Sequence, residues 1–304
     1  MTQAHAASMR IGPSTFRWGE RTYVMGIINV TPDSFSGDGV LAPRDHGEGS
    51  GTSDALDPVG LAVDRARQMV AEGADILDIG GESTRPGHLP VDVDEERRRV
   101  VPIVTAVRRA LPHVAISIDT TKPAVAEAAI DAGADLVNDV WGVGADDGLP
   151  RLAAARGVPM VVMHNRAEPR YEDLLPEVIA DLRVALDRAV GLGVRPENLI
   201  VDPGFGFGKT PEQNLQLVRE LARLRVLGRP ILLGTSRKST LGRVLGAGPD
   251  ERLEATLATT ALAIAGGVDI VRVHDVGPNV RAARVGDAIM RGHWRSESAE
   301  GGSS

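Results

Sequence analysis

The sequence predicts an α/β fold, a (β/α)8 TIM barrel with a short N-terminal hairpin cap, and three observations carry that expectation. Eight short apolar runs alternate along the chain with segments of helical periodicity. The 304 residues divide into units of about 38, more units than a doubly wound sheet of five or six strands requires. Nearly every apolar run ends in polar or glycine-rich residues, the end at which such a barrel carries its chemistry.

Composition sets the outer limits. A hydrophobic content of 42% is enough for a full core, and the formal net charge of -7 gives no general basic field, which speaks against nucleic acid as partner. The absence of cysteine removes disulfide and thiolate chemistry. The longest apolar runs, such as 76–79 and 159–163, are far shorter than a membrane span, and residues 1–15 lack the apolar segment of a signal peptide, so a cytoplasmic protein is expected.

Residues 1–15 read as a frayed tail, 16–292 as a single barrel domain and 293–304 as a polar tail. Residues 16–23 suggest a hairpin around Gly19-Glu20, capping one end of the barrel. The first buried strand is expected over 24–30, followed by a polar, glycine- and serine-rich loop over 41–57 without periodicity. Asp57 as N-cap and Pro58 at the first helical position open a helix that carries Val59, Ala62, Val63, Ala66, Met69 and Val70 at helical spacing and closes at Gly73. Strand 75–80 leads into Gly81-Glu82-Ser83-Thr84-Arg85-Pro86-Gly87 and helix 94–109. The unit then repeats as strand 114–119 with helix 123–132, strand 136–139 with helix 146–156, and strand 159–164 with helix 174–190. Strand 199–202 with helix 211–224, strand 230–235 with helices 238–245 and 253–265, and strand 269–274 with helix 280–290 complete the set.

The strand ends form one constellation: Asn29, the turn 80–85, Asp119, Asn138, Met163 and His164, Asp202, then Ser236-Arg237-Lys238 and Arg272-Val273-His274-Asp275. The loop Gly204-Phe205-Gly206-Phe207-Gly208-Lys209-Thr210 imitates a phosphate-binding loop but lacks its spacing, because Pro203 stands where the first glycine belongs. A dinucleotide fingerprint fails as well, since its third glycine falls on Lys209, which reads as solvent-facing or loop-stabilising. Of four phenylalanines, Phe35, Phe205 and Phe207 follow strands, a placement that suits ligand contact more than core filling, although plugging the barrel mouth is the plainer use.

Asp119, Asn138 and Asp202 suit a planar heterocycle with an amidine or guanidine edge, because a carboxylate accepts two parallel N–H bonds from it, and Lys238 offers a cation to an oxo group or ring nitrogen. Alone, a strand-end aspartate serves equally as an N-cap. Asn29, Arg272 and His274 belong to the first and last strands, neighbours when the barrel closes, and suit an anion or, with Mg2+, a polyphosphate; His274 alone fits a core histidine equally well. Ser236 to Ser239 lead into a helix whose free N–H groups suit a carboxylate, or form an ordinary capped helix. His164 reads as structural or loop-positioning, and no Ser–His–Asp or metal-ligand spacing emerges.

Seven motifs occur in order: Asn29-Val30-Thr31-Pro32-Asp33-Ser34-Phe35-Ser36, Gly80-Gly81-Glu82-Ser83-Thr84-Arg85-Pro86-Gly87, Ser117-Ile118-Asp119-Thr120, Asn138-Asp139, Asp202-Pro203-Gly204-Phe205-Gly206-Phe207-Gly208-Lys209, Ser236-Arg237-Lys238-Ser239 and Arg272-Val273-His274-Asp275. Together they resemble the dihydropteroate synthase family over residues 25–290. The resemblance implies condensation of 6-hydroxymethyl-7,8-dihydropterin diphosphate with p-aminobenzoate. It implies Asp33, Asp119, Asp202 and Lys238 as catalytic residues, and Asp119, Asn138, Met163, Asp202 and Lys238 around the pterin. Asn29, Arg85, Arg272 and His274 would hold the diphosphate, with Asn29 a ligand of Mg2+, and Phe35, Thr84, Pro86, Phe207 and Ser239 would shape the p-aminobenzoate pocket. It further implies a homodimer and a target of sulfonamides. The likeness departs at residues 35–39, where aspartate does not directly follow serine, in the long stretch 41–57, and in the short segment 165–170, all of which bear on the p-aminobenzoate side. A pterin-binding methyltransferase and a non-catalytic pterin-binding homologue are the competing readings.

Overall fold

The computed structural model describes residues 8–30, 57–82, 91–141 and 147–292. Ten strands and nine α-helices are formed among them. Strands β1 (Ser8–Ile11) and β2 (Ser14–Arg17) make an antiparallel hairpin. The barrel strands are β3 (Tyr23–Asn29), β4 (Ile76–Gly80), β5 (Ala115–Asp119), β6 (Leu136–Asp139), β7 (Met160–Met163), β8 (Leu199–Asp202), β9 (Leu232–Leu233) and β10 (Ile270–Val273). Every neighbouring pair is parallel, β10 lies between β3 and β9, and a parallel bridge from Val201 to Ile231 joins β8 to the β9 segment, closing the ring of eight.

Outside the strands lie α1 (Pro58–Ala71), α2 (Val93–Ala110), α3 (Pro123–Asp131), α4 (Gly148–Arg156) and α5 (Leu174–Gly191). The ring continues with α6 (Pro211–Arg219), α7 (Ser239–Leu245), α8 (Leu253–Ala265) and α9 (Val276–Arg291). The start of α1 is as its sequence dictates: the Asp57 side chain accepts from the Val59 N–H, and Pro58 occupies a position whose N–H has no helical partner. The outer faces of the strands and the inner faces of the helices form the main core, including Ile79, Val104, Ile118, Leu182, Val201 and Val271.

Three expectations on the elements are corrected. The hairpin lies over residues 8–17, not 16–23, so residues 8–15 are not a tail; its turn uses Gly12, at φ +55, where a side chain is strained. Helix α9 begins at Val276 rather than 280, because Pro278 falls in the first turn, where a missing N–H costs nothing. The helix expected over 211–224 ends at Arg219 and gives way to a 3-10 segment, Leu221–Leu227.

The hairpin does cap one end. Met9, Ile11, Phe16 and Trp18 join Tyr23, Met25, Ile76, Ala115, Leu136, Val161, Ile200, Leu232 and Ile270 in a second, internal apolar cluster at the amino ends of the strands. Phe16 packs against Trp18 and Tyr23 with ring centroids 5.7 and 4.7 Å apart. The scarce aromatics of the amino-terminal segment are spent on this floor.

Candidate active site

The alternation of strand side chains turns this floor into a guide to the site. Moving two residues along each strand from a floor residue reaches the next inward position: Ile76 leads to Asp78, Ala115 to Ser117, Leu136 to Asn138, Val161 to Met163, Ile200 to Asp202 and Ile270 to Arg272. A packed barrel would fill that layer with branched apolar residues. Here most of it is polar and buried.

The polar layer is interconnected. Arg272 donates from Nε to Asp78 Oδ2 at 2.5 Å and from Nη2 to Asp119 Oδ2 at 2.6 Å. Asn138 Nδ2 donates to the same Asp78 oxygen at 3.1 Å. Asp119 lies beside Asn138 in register, and Met163 beside Asp202. Asp202 Oδ1 accepts from the Gly204 N–H at 2.7 Å, so the strand-end carboxylate also starts the glycine loop. Lys238 donates to the Phe205 carbonyl, and its Nζ stands 4.5 Å from the centre of the Phe207 ring.

Burial dominates the electrostatics. The Asp119 carboxyl is pushed up to about 7, chiefly by desolvation, with Arg272 opposing and Asp78 adding to the rise. Asp202 is raised for the same first reason, against Lys238 and the Gly204 N–H. Lys238 is brought down to about 8 by burial, with Asp202 as the main counterweight. Burial also works against the Arg272 charge, but Asp78 and Asp119 outweigh it and hold the guanidinium above its ordinary range. Asp78 Oδ1, Ser117 Oγ and Asp119 Oδ1 are buried with no hydrogen-bond partner among the described residues. Two buried oxygens of acids and one hydroxyl thus await donors, as a nitrogen-rich heterocycle would supply.

The sequence expectations meet the structure unevenly. Asp119, Asn138, Met163, Asp202, Lys238, Arg272 and His274 all lie at the carboxyl end of the strands or on the inner layer below it. His274 Nδ1 lies 3.0 Å from Ser236 Oγ, tying the last strand to the segment before α7. Asn29 closes β3, and Ser239 is the exposed first residue of α7. Asp33, Phe35, Thr84, Arg85 and Pro86 lie outside the described residues, as does most of the 41–57 stretch. Phe205 does not face a ligand: it is fully buried in the core, so of the two loop phenylalanines only Phe207 is partly exposed. Lys209 is not solvent-facing; it turns back beneath its own loop, as the loop-stabilising alternative had it. His164 has the structural place expected, fully buried with Nε2 3.1 Å from Asp181 Oδ2. Asp78 was missed altogether. Its signal is an aspartate in the middle of the run Ile76-Leu77-Asp78-Ile79, which a fully buried strand tolerates only with a partner.

A barrel whose inner layer offers carboxylates and cations to a small polar heterocycle defines a class of enzyme, and the comparisons narrow it. Residues 25–274 match the pterin binding enzyme family. The dihydropteroate synthase of Clostridium beijerinckii is 46% identical over 284 residues, covering 93% of this chain and 100% of the relative, and that of Bacillus subtilis is 47% identical over 278 residues, covering 91% and 92%. Among solved structures, the dihydropteroate synthase of Clostridium difficile determined in the presence of pteroic acid superposes with a TM-score of 0.83 at 46% identity, covering 91% of this chain and 99% of that one. The Xanthomonas albilineans enzyme in complex with 7,8-dihydropteroate gives 0.80 at 38%, covering 93% and 98%.

The chain is a pterin-binding barrel enzyme, a transferase. It belongs to the dihydropteroate synthase family.

Proposed function

We propose that the protein condenses 6-hydroxymethyl-7,8-dihydropterin diphosphate with p-aminobenzoate, releasing 7,8-dihydropteroate and diphosphate. The observation that carries this reading is the polar inner layer, in which Asp78, Ser117 and Asp119 each keep an oxygen without a partner among the described residues, beside Asn138 and Arg272. The amino-pyrimidine edge of a pterin supplies the N–H donors that such oxygens lack. Asp202 and Lys238 meet the same ring from the next strands, and Met163 packs on its face.

The substitution needs no nucleophile from the protein. The methylene carbon–oxygen bond breaks with its electron pair going to diphosphate, and the positive charge spreads into the reduced pterin. Buried carboxylates lower the energy of that cation. The aniline nitrogen then forms the new carbon–nitrogen bond and loses a proton to solvent. Arg272, His274 and Asn29, with Arg85, hold the diphosphate, Asp33 joins the catalytic residues, and Phe35, Thr84 and Pro86, with Phe207 and Ser239, line the p-aminobenzoate pocket and keep water from the cation.

Among the described residues no three His, Asp or Glu side chains are grouped as a metal cage. Asn29, which closes β3, would hold Mg2+ through its side-chain oxygen, a hard donor of the kind that ion prefers. When bound, Mg2+ supplies charge neutralisation of the departing diphosphate.

We further read the protein as cytoplasmic and dimeric, and as inhibited by sulfonamides that imitate p-aminobenzoate. No described helix is long and apolar enough to cross a membrane. For a second copy, α8 and α9 present an exposed apolar face with Leu262, Val285 and Ile289; sedimentation velocity at two concentrations tests it.

Incubation of purified protein with both substrates and Mg2+ is the decisive assay. Diphosphate and dihydropteroate should accumulate in equal amounts. Tight pterin binding without product would favour a non-catalytic homologue instead.

A further inference from the structure

The loop after β8 is held by two lysines, and only one of them faces the pocket. Gly204, Gly206 and Gly208 all have positive φ, at +71, +84 and +54, so the loop folds into a form that side chains would strain. A Cβ on Gly204 would overlap the His164 carbonyl, and one on Gly208 the Arg166 carbonyl. The chain is thus pressed against the segment that follows β7.

Four carbonyls of this loop are satisfied by side chains. Lys238 takes Phe205 from the pocket side. Lys209 takes Gly204 at 3.1 Å and Phe207 at 3.0 Å from behind, and Tyr171 Oη donates to Gly208 at 2.9 Å. Lys209 Nζ also lies 2.9 Å from His164 Nδ1, and burial brings the lysine down to about 7. The Asp181 carboxylate, which only accepts, sets the tautomer: Nε2–H donates to it and Nδ1 is left to accept, and Arg166 also holds Asp181 at 2.7 Å. The His164 ring stays neutral, lowered to about 4 by burial and then by the Lys209 charge.

We propose that Lys209 is a positioning residue for the second-substrate pocket: anchored through His164 to Asp181, it holds the Phe207 carbonyl and so sets where the Phe207 ring stands against Lys238. Asp202, by contrast, is placed by strand β8 and feels Lys209 as a nearby charge with no direct hydrogen bond between them. This inference rests on the reading of Phe207 as a wall of the p-aminobenzoate site.

The test is steady-state kinetics of Lys209→Met, which keeps the volume and removes all three donors. The KM for p-aminobenzoate is expected to rise about tenfold, while the KM for the pterin diphosphate stays within about twofold. Lys209→Arg should recover most of the loss. If the lysine acts through Phe207, Lys209→Met added to Phe207→Ala should cost little more than Phe207→Ala alone. Equal changes in both KM values, a lowered melting temperature with unchanged kinetics, or additive losses in the double variant would each overturn the assignment. Should Lys209→Met not fold, Asp181→Ala loosens the anchor from its partly exposed outer end, and a selective rise of a few-fold in the p-aminobenzoate KM is then expected; its absence also overturns the proposal. The unaltered protein is assayed first. Failure to form dihydropteroate would overturn the underlying reaction, whereas normal turnover with an unselective Lys209 variant overturns only the role of the lysine.

Discussion

The Arg272 guanidinium and the Asp119 carboxylate, 153 residues apart in the chain, are joined at 2.6 Å inside the barrel. The sequence had divided these two between the parts of one substrate, the arginine to its diphosphate and the aspartate to its pterin. Their contact makes them one unit: a ligand that draws either side chain alters the other, and through Asp78 the effect reaches Asn138.

Arg272→Met should therefore cost stability as well as activity. Removing the cation leaves Asp78 and Asp119 buried without compensation, and breaking a buried pair typically costs about 3–5 kcal/mol. Denaturant unfolding should show a loss on that order, and Arg272→Lys, which keeps the charge without the fork, should fall between the two. Unchanged stability in Arg272→Met would mean that the two carboxyls take up protons or water at no cost.

Asp119→Asn removes a charge-assisted acceptor from the pterin. Binding of the pterin diphosphate, followed by titration calorimetry, should weaken by about 1.5–3 kcal/mol, and turnover should slow because the developing cation loses a carboxylate. Unaltered kinetics would remove Asp119 from the site.

Activity against pH should be bell-shaped. Asp119 must be ionised and is raised to about 7, so kcat/KM should fall as pH drops through that value. Lys238 must be protonated and is lowered to about 8, so kcat/KM should fall again as pH rises through it. Asp119→Asn should erase the acid limb, and Lys238→Arg should carry the alkaline limb upward. Stability has its own sign: because the folded Asp119 value lies above the ordinary 3.8, its contribution is fully present below that range and is lost as pH rises through about 7. Thermal melts across pH 4–8 should be flatter in Asp119→Asn.

Arg237 is the single described non-glycine residue with positive φ, at +57, and its guanidinium grips Asp275 at 2.6 and 3.1 Å. Strain and pair should separate by substitution. Arg237→Gly loses the pair and relieves the backbone, whereas Arg237→Ala loses the pair and keeps the strain, so the alanine variant should melt lower by the equivalent of about 1 kcal/mol. Equal melting temperatures would show that the turn relaxes on its own.

Much of this was legible in the sequence, and the reason differs by feature. The strands were readable because each is a short apolar run bounded by glycine or charge, and their carboxyl ends announced Asp119, Asn138 and Asp202. Asp78 was hidden because it lies within a run, where only its partners, 60 and 194 residues away, explain it. The hairpin was misplaced although Ser8-Met9-Arg10-Ile11 alternates polar and apolar, because two apolar residues are too few to stand out from a tail. Lys209 was legible only as far as its own loop, because its histidine partner lies 45 residues back.

The aromatic floor built by the amino-terminal hairpin has a consequence for traffic. Phe16, Trp18 and Tyr23 fill the amino end, so the described polar inner layer lies on the carboxyl side of an apolar floor. On the proposed reaction, the order of arrival would then be set by the stopper rather than by affinity, the pterin part beneath and p-aminobenzoate above.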